Sequence, residues 1–289
     1  MRPRDAAIAD AGPSYRAGRP RPLPYKRRMR HPRLLLLAAL CAACSASPRA
    51  SSTAPVAAPA MEVRADVRTA LDAPDRTAAD RALDPQRRPG EVATFFRIER
   101  GQRVADLFAG GGYTSEVLAR VVGPEGRVFS QNNRFAIDRF ANAPWTARLA
   151  TPAMQNVVRV EREFDDPLPP EATNLDAVLS VLVYHDSVWL NADRAAMNRA
   201  VFRALRSGGV YGIIDHSAAE RHGTADAQTL HRIEERVVVE EVTAAGFRLD
   251  ARSDLLRNPS DPRDWNSSPR EAGARRGQSD RFMLRFVKP

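Results

Sequence analysis

From Arg103 to the C-terminus, short apolar runs alternate with stretches whose apolar residues recur every three or four positions. Runs of this length read as buried strands and the longer spacing as amphipathic helices, so the alternation predicts βαβ units and a parallel sheet. The first strand is expected at Val104–Phe108. A helix follows with Val117, Leu118, Val121 and Val122 as its buried stripe, ending near Gly123-Pro124. Strands two and three are expected at Arg127–Ser130 and about Val157–Val160. Strand four, Asp176–Val183, is the most apolar, as a strand covered on both faces must be. A helix from Ala192 to Arg206 buries Met197, Val201, Ala204 and Leu205 and stops at Ser207-Gly208-Gly209. Strand five is Val210–Asp215. A helix from about Thr229 to Ala245 carries Leu230, Ile233, Val237 and Val242, and strands near Arg248–Leu256 and Arg281–Val287 close the chain. The pattern is that of a doubly wound, Rossmann-like α/β domain with a seven-stranded sheet.

Upstream the pattern changes. Leu34–Cys44 is an eleven-residue apolar run, about 16 Å long as a helix and too short for a hydrocarbon core of about 30 Å. With Arg30, His31 and Arg33 before it and small residues after it, the run matches a secretory signal peptide, for which Met29 is a normal start. Ala42-Ala43-Cys44 also resembles a lipoprotein cleavage site, which would attach the chain to a membrane through lipidated Cys44. The expectation is a targeting segment over 1–46, with 1–28 an over-long start or a long basic region. A Ser/Ala/Pro-rich linker is expected over 47–62, and the domain over 63–289 with a helical lead-in at 63–90. Helical patches in the lead-in fall at Val67–Leu71 and Ala78–Leu83. The protein is expected to be exported, to the periplasm or to a lipid-anchored position.

Charge changes the picture once it is placed. The net charge of +9 lies wholly in residues 1–50, which hold 11 basic and 2 acidic residues, while 51–289 hold 33 of each sign. A neutral domain lacks the footprint of a nucleic-acid binder, so no nucleic-acid partner is expected. Both cysteines, Cys41 and Cys44, precede the domain, which therefore has no disulfide and no thiolate metal site.

The run Asp106-Leu107-Phe108-Ala109-Gly110-Gly111-Gly112-Tyr113-Thr114 joins the first strand to the first helix. Glycine lets the backbone turn sharply and approach a ligand, and the next helix points free N–H groups at that space. The dinucleotide fingerprint G-x-G-x-x-G is not met, which counts against a nicotinamide-dependent reductase. The run resembles the first motif of class I S-adenosylmethionine-dependent methyltransferases, of the bacterial group whose members often carry an exported N-terminus. The resemblance extends over about 185 residues. It implies one antiparallel strand near the sheet edge and S-adenosyl-L-methionine as cofactor, held by Asp106, Ala109, Gly110, Gly111, Gly112, Tyr113 and Thr114. Asn132 stands where the family has the acid that accepts the ribose hydroxyls. Asn brings no charge and loses charge-assisted strength. Glu163 with Phe164 fits the adenine-contacting position, Asp165 being the alternative to Glu163, and Ser180 and Tyr184 complete the implied cofactor contacts.

Strand four leads into Val183-Tyr184-His185-Asp186 and strand five into Asp215-His216-Ser217. Ligands of open α/β sheets sit outside the carboxyl ends of the strands, which places both clusters at the cleft. His185, Asp186 and His216 are the candidate catalytic groups, able to take a proton from an oxygen or nitrogen acceptor. Asp186, Asp215 and His216 resemble oxygen and nitrogen metal ligands, but no spacing motif supports a metal, and none is expected. Ser217–Gln228 and Asn258–Asp280 are loops long enough to cover the cleft. Trp265 in the second either lines an acceptor pocket or anchors the insert. The resemblance implies methyl transfer to a small-molecule acceptor. The alternative is a non-catalytic exported binding protein that retains the fold.

Overall fold

The apolar runs form one seven-stranded sheet in the computed structural model, which describes residues 62–289. In chain order the strands are β1 (Arg103–Leu107), β2 (Arg127–Asn132), β3 (Val157–Glu161), β4 (Leu175–Val181), β5 (Leu205–His216), β6 (Arg248–Ser253) and β7 (Arg281–Val287). Their spatial order is β3-β2-β1-β4-β5-β7-β6, and only β7 runs antiparallel to its neighbours. The order reverses between β1 and β4, where crossovers to either side leave a crevice at the strands' carboxyl ends. The expected targeting segment, Cys41, Cys44 and the linker up to residue 61 lie outside the described residues. Among the described residues, no helix is long and apolar enough to cross a membrane.

Alternation along each strand builds two apolar layers. Ala105, Leu107, Phe129, Val178, Tyr211, Ile213, Phe282 and Phe286 face one side, covered by α8 (Tyr184–Trp189), α9 (Arg194–Ala204) and α10 (Glu235–Ala244). Val104, Val128, Ala177, Leu179, Ile214 and Met283 face the other. There they meet α1 (Ala65–Leu71), α4 (Pro89–Phe95) and α5 (Tyr113–Val122). The lead-in is therefore part of the domain's second layer. Between α1 and α4 lie the short helices α2 (Ala78–Arg81) and α3 (Asp84–Arg87), and left-handed Arg88 makes the turn into α4.

The structure departs from the periodicity in four places. Strand four stops at Val181, because Leu182 turns left-handed (φ 62°) and the chain enters α8. Strand five starts at Leu205, where the end of the expected preceding helix is drawn into pairing with Leu175. The helix expected from Thr229 begins at Glu235. Ile233, placed by spacing on its stripe, instead bridges to Ser217 in an extended segment. Residues 134–149, with no apolar period, form α6 (Arg134–Ala136), a π-helical turn (Ile137–Ala141) and α7 (Asn142–Leu149). These lie over the glycine turn.

The Asn258–Asp280 insert is fastened by a buried ion pair. Arg232 and Asp261, both side chains without exposure, meet at 2.7 Å. Asp261 also accepts from the Asp280 and Arg263 amides and from the Trp265 indole. Trp265 lies 4.8 Å from the Arg232 guanidinium and so anchors the insert. Removing one partner of such a pair strands the other charge. Asp261→Ala is expected to cost about 3–5 kcal/mol, read as a lowered denaturation midpoint.

Candidate functional site

The glycine turn leaves β1 through left-handed Phe108 (φ 53°), Gly110 (φ 56°) and Gly112 (φ 83°). Its amides are held mainly by β2. Phe108 N–H donates to the Gln131 side chain at 2.9 Å and Ala109 N–H to the Gln131 carbonyl at 2.8 Å. Asn132 accepts from Gly110 N–H at 2.9 Å and donates to the Gly110 carbonyl at 3.0 Å. Asn132 is fully buried, so both ends of its amide are spent on the turn. A Cβ on Gly112 would meet Arg148 at 3.0 Å and Trp145 at 3.3 Å, so this glycine seats α7. A Cβ on Gly110 would meet only Phe140, at 3.8 Å. Ala109, Gly110 and Gly111 are half-buried and face the crevice.

Asp106 points into the layer beneath α5, where Ser115 Oγ–H donates to it at 2.6 Å. Ser115 also meets Ser130, which accepts from the Trp145 indole at 2.9 Å. Burial pushes the Asp106 carboxyl up to about 7, against the opposing pull of the Ser115 hydrogen bond and the Arg87 charge. Arg87, at the end of α3, lies 4.5 Å over the Tyr113 ring and has no carboxylate within ion-pair distance among the described residues. Arg281 opens β7. Burial and the like charge of Arg87 bring its guanidinium down to about 10. Its Nη1 donates to the Gln86 carbonyl, and its buried Nε has no partner among the described residues. A buried carboxylate, the half-buried Arg87 guanidinium and the buried Arg281 guanidinium thus feel one another's charge beside the turn.

At the ends of β4 and β5 a second group assembles on Asp215, which has no exposure. It accepts from the backbone N–H groups of His185 and His216 at 2.8 and 2.7 Å, and meets His185 Nδ1 at 2.7 Å. His185 Nε2 turns to His231 Nδ1 at 3.1 Å and Asp186 Oδ1 at 3.3 Å. Burial alone would lower the His185 pKa, but the Asp215 and Asp186 charges raise it to about 9. His216 is held well below its usual value by burial and by the surrounding cations, His185 first among them. Its Nδ1 meets Ser279 Oγ at 2.7 Å. The two histidines are thus biased in opposite directions, His185 toward the protonated form by its carboxylates and His216 toward the neutral form by burial.

The structure brings together only part of the sequence-derived set. His185, Asp186 and His216 converge. Tyr184 lies in the core, donating to Glu241 and accepting from Asn198, both at 2.8 Å. Ser180 is buried mid-sheet opposite Leu107 and Ile213. Exposed Glu163 caps the Arg134 amide at 3.1 Å. Asp165 accepts from Asp193 N–H. Phe164 stacks on Phe108 at 5.2 Å, away from solvent. Tyr113 donates to Asp84 beneath the lead-in, and Thr114 is half-buried beside it.

Sequence reasoning missed His231, Arg87, Arg281 and the aromatic path from turn to histidines. Phe108, Phe140, Phe135, Trp189 and His231 follow one another at ring separations of 5.2–6.5 Å. Phe140 is 52% exposed, a large apolar side chain open to the crevice. One signal was available for His231. Four of the chain's five histidines fall between residues 185 and 231.

No family model and no curated protein matches the sequence. Among solved structures, the fold is similar to a SAM-dependent methyltransferase from Aquifex aeolicus (TM-score 0.52, 17% identity, 73% of this chain and 98% of that one). It is also similar to a chain of the complex between the Haloferax volcanii Trm112 methyltransferase activator and the putative methyltransferase (TM-score 0.50, 20% identity, 79% and 100%). At these identities the likeness establishes the scaffold. Chemistry has to be argued from the residues.

Asn132→Asp tests the account of the turn. The variant keeps the bond from Gly110 N–H, loses the donor to the Gly110 carbonyl and sets a carboxylate against that oxygen. A loss of about 1–3 kcal/mol in stability is expected, read by thermal denaturation.

Proposed function

We propose that this domain binds S-adenosylmethionine beside the glycine turn and transfers its methyl group to a small-molecule acceptor seated toward His185. The observation that carries the reading is the charge pattern next to the turn, where Asp106 is buried near Arg87, and Arg87 near the unpartnered Nε of Arg281. A zwitterionic amino-acid end fits that pattern, its ammonium toward Asp106 and its carboxylate toward Arg281 and Arg87. Gly110 and exposed Phe140 would face the nucleoside. When bound, the cofactor would supply an electrophilic methyl carbon on a sulfonium, with the neutral thioether S-adenosylhomocysteine as the leaving group. The chain's part is to position the two reactants and exclude water. His185, fixed by Asp215, and Asp186 orient the acceptor, with His216 in the same pocket to receive its proton.

A second reading, a non-catalytic binding protein on the same scaffold, is favoured by Asn132. The ribose hydroxyls meet no free acid at the end of β2, because that side chain is committed to Gly110. Calorimetric titration of the full chain with S-adenosylmethionine and S-adenosylhomocysteine separates the two. Saturable binding of both is expected, and no heat at millimolar ligand would leave the non-catalytic reading. Arg281→Gln should weaken S-adenosylmethionine and leave 5′-methylthioadenosine, which lacks the amino-acid end, unchanged.

The pH dependence has a definite sign. The Asp106 carboxyl sits at about 7, and Ser115, Ser130 and Arg87 are the polar groups packed around it. An incoming ammonium prefers the ionised form. Affinity should therefore rise by about tenfold per pH unit on approaching pH 7 and level off above it. Folding runs the other way. The group ionises near 3.8 in the unfolded chain, so stability falls as pH rises from about 4 through 7. Asp106→Asn should abolish both trends, as seen in titrations and melting curves at several pH values.

Export is a separate part of the proposal and rests on the pattern of residues 29–46. In fractionated cells, the full chain is expected with the membranes and Cys44→Ala in the soluble exported fraction. Retention of both in the cytosol would refute it.

A further inference from the structure

We propose that His185, Asp186 and His231 form a binding site for one divalent transition-metal ion at the mouth of the cleft. The inference goes beyond methyl transfer and stands or falls without it.

Three ligand atoms from two separate parts of the chain point at one spot. His185 Nε2, Asp186 Oδ1 and His231 Nδ1 are separated by 3.1, 3.3 and 3.6 Å. An ion about 2.1 Å from each of its ligands holds them about 3.0 Å apart in octahedral and about 3.4 Å apart in tetrahedral geometry. The observed separations of 3.1, 3.3 and 3.6 Å each lie within about 0.2 Å of one of these values, so the spacing suits a single ion. Two imidazoles and one carboxylate suit Zn²⁺, Fe²⁺ or Mn²⁺, whereas Ca²⁺ and Mg²⁺ require mainly oxygen.

The surroundings favour a ligand over a simple histidine pair. Asp215 meets His185 Nδ1 at 2.7 Å, which in the neutral imidazole leaves the Nε2 lone pair facing the other two ligands. A carboxylate behind a histidine is the usual outer support of a metal ligand. Asp186 Oδ1 is fixed in turn by the Trp189 indole at 2.8 Å. His231 is presented from a left-handed backbone (φ 51°), and Ser267 Oγ–H donates to its carbonyl at 2.7 Å. Exposure also grades outward, from 3% for the His185 side chain through 11% for Asp186 to 24% for His231. An ion can enter from the His231 side and keep positions open to a ligand in the cleft.

The test uses the full chain stripped with chelator and titrated with Zn²⁺, then with Co²⁺ followed by its visible absorption. One ion per chain is expected. His185→Ala and His231→Gln should each lower affinity by more than about 100-fold and remove the Co²⁺ band, and Asp215→Asn should lower it by about 10–100-fold. His222→Ala, an exposed histidine paired with Asp226, should change nothing. His231 is partly exposed, so its variant should keep the melting transition of the stripped protein, which excludes unfolding as the cause. Absence of saturable binding at millimolar Zn²⁺, or an ion that survives both histidine variants, overturns the site. S-adenosylmethionine binding is measured on the stripped protein, so failure of that reading is seen separately.

Discussion

The cleft is organised by one carboxylate. Asp215 ends β5 with no exposure and gathers three nitrogens, the amides of His185 and His216 and the His185 ring. A buried carboxylate needs several hydrogen bonds to persist, and these are supplied by two neighbouring strand ends. Because β4 and β5 are parallel, their ends lie on the same edge, and the bond that satisfies Asp215 also fixes the entry into α8. Left-handed Leu182 makes this possible, with its own amide tied to the Ile214 carbonyl at 2.7 Å. Strain at that residue is offset by a rigid histidine.

The opposite end of the crevice is built from arginines. Arg148 on α7 reaches the Gly111 carbonyl at 2.8 Å, Asp80 of the lead-in at 2.7 Å and Glu116 of α5. One guanidinium thereby joins the glycine turn, its cover and the lead-in, which the planar fork of arginine can do and a lysine cannot. Arg76 does the same for the lead-in, pairing with Asp84, which also accepts from Tyr113. Half-buried Arg87 and buried Arg281 differ, with no carboxylate in ion-pair contact among the described residues. Burial of that kind is costly unless a ligand completes it.

Between these ends run the aromatic side chains from Phe108 to His231. They make a continuous aromatic path from the glycine turn to His231. The π-helical turn at Ile137–Ala141 places Phe140 on that path with its face exposed, and such turns often mark functional positions. The path joins the charged layer around Asp106 to the group of histidines gathered on Asp215. Both proposals draw on His185 and Asp186, and they are tested apart.

The sequence by itself determined the sheet, most element positions and the glycine turn with Asp106. Those features are written in local periodicity, two for strands and 3.6 for helices, and in turn residues. It also placed His185, Asp186 and His216 at one edge of the sheet, because the ends of buried strands can be read from where apolar runs stop. Tertiary structure decided the rest. Whether Asn132 faced a ribose or its own turn depended on the chain folding Gly110 back onto β2. His231 meets His185 across 46 residues through an extended bridge to Ser217, where spacing predicted a helix. Arg87 and Arg281 meet across nearly 200 residues of chain. Pairings at that range leave no trace in local pattern, since they are selected by the packing of the whole domain and by the need to satisfy each buried charge.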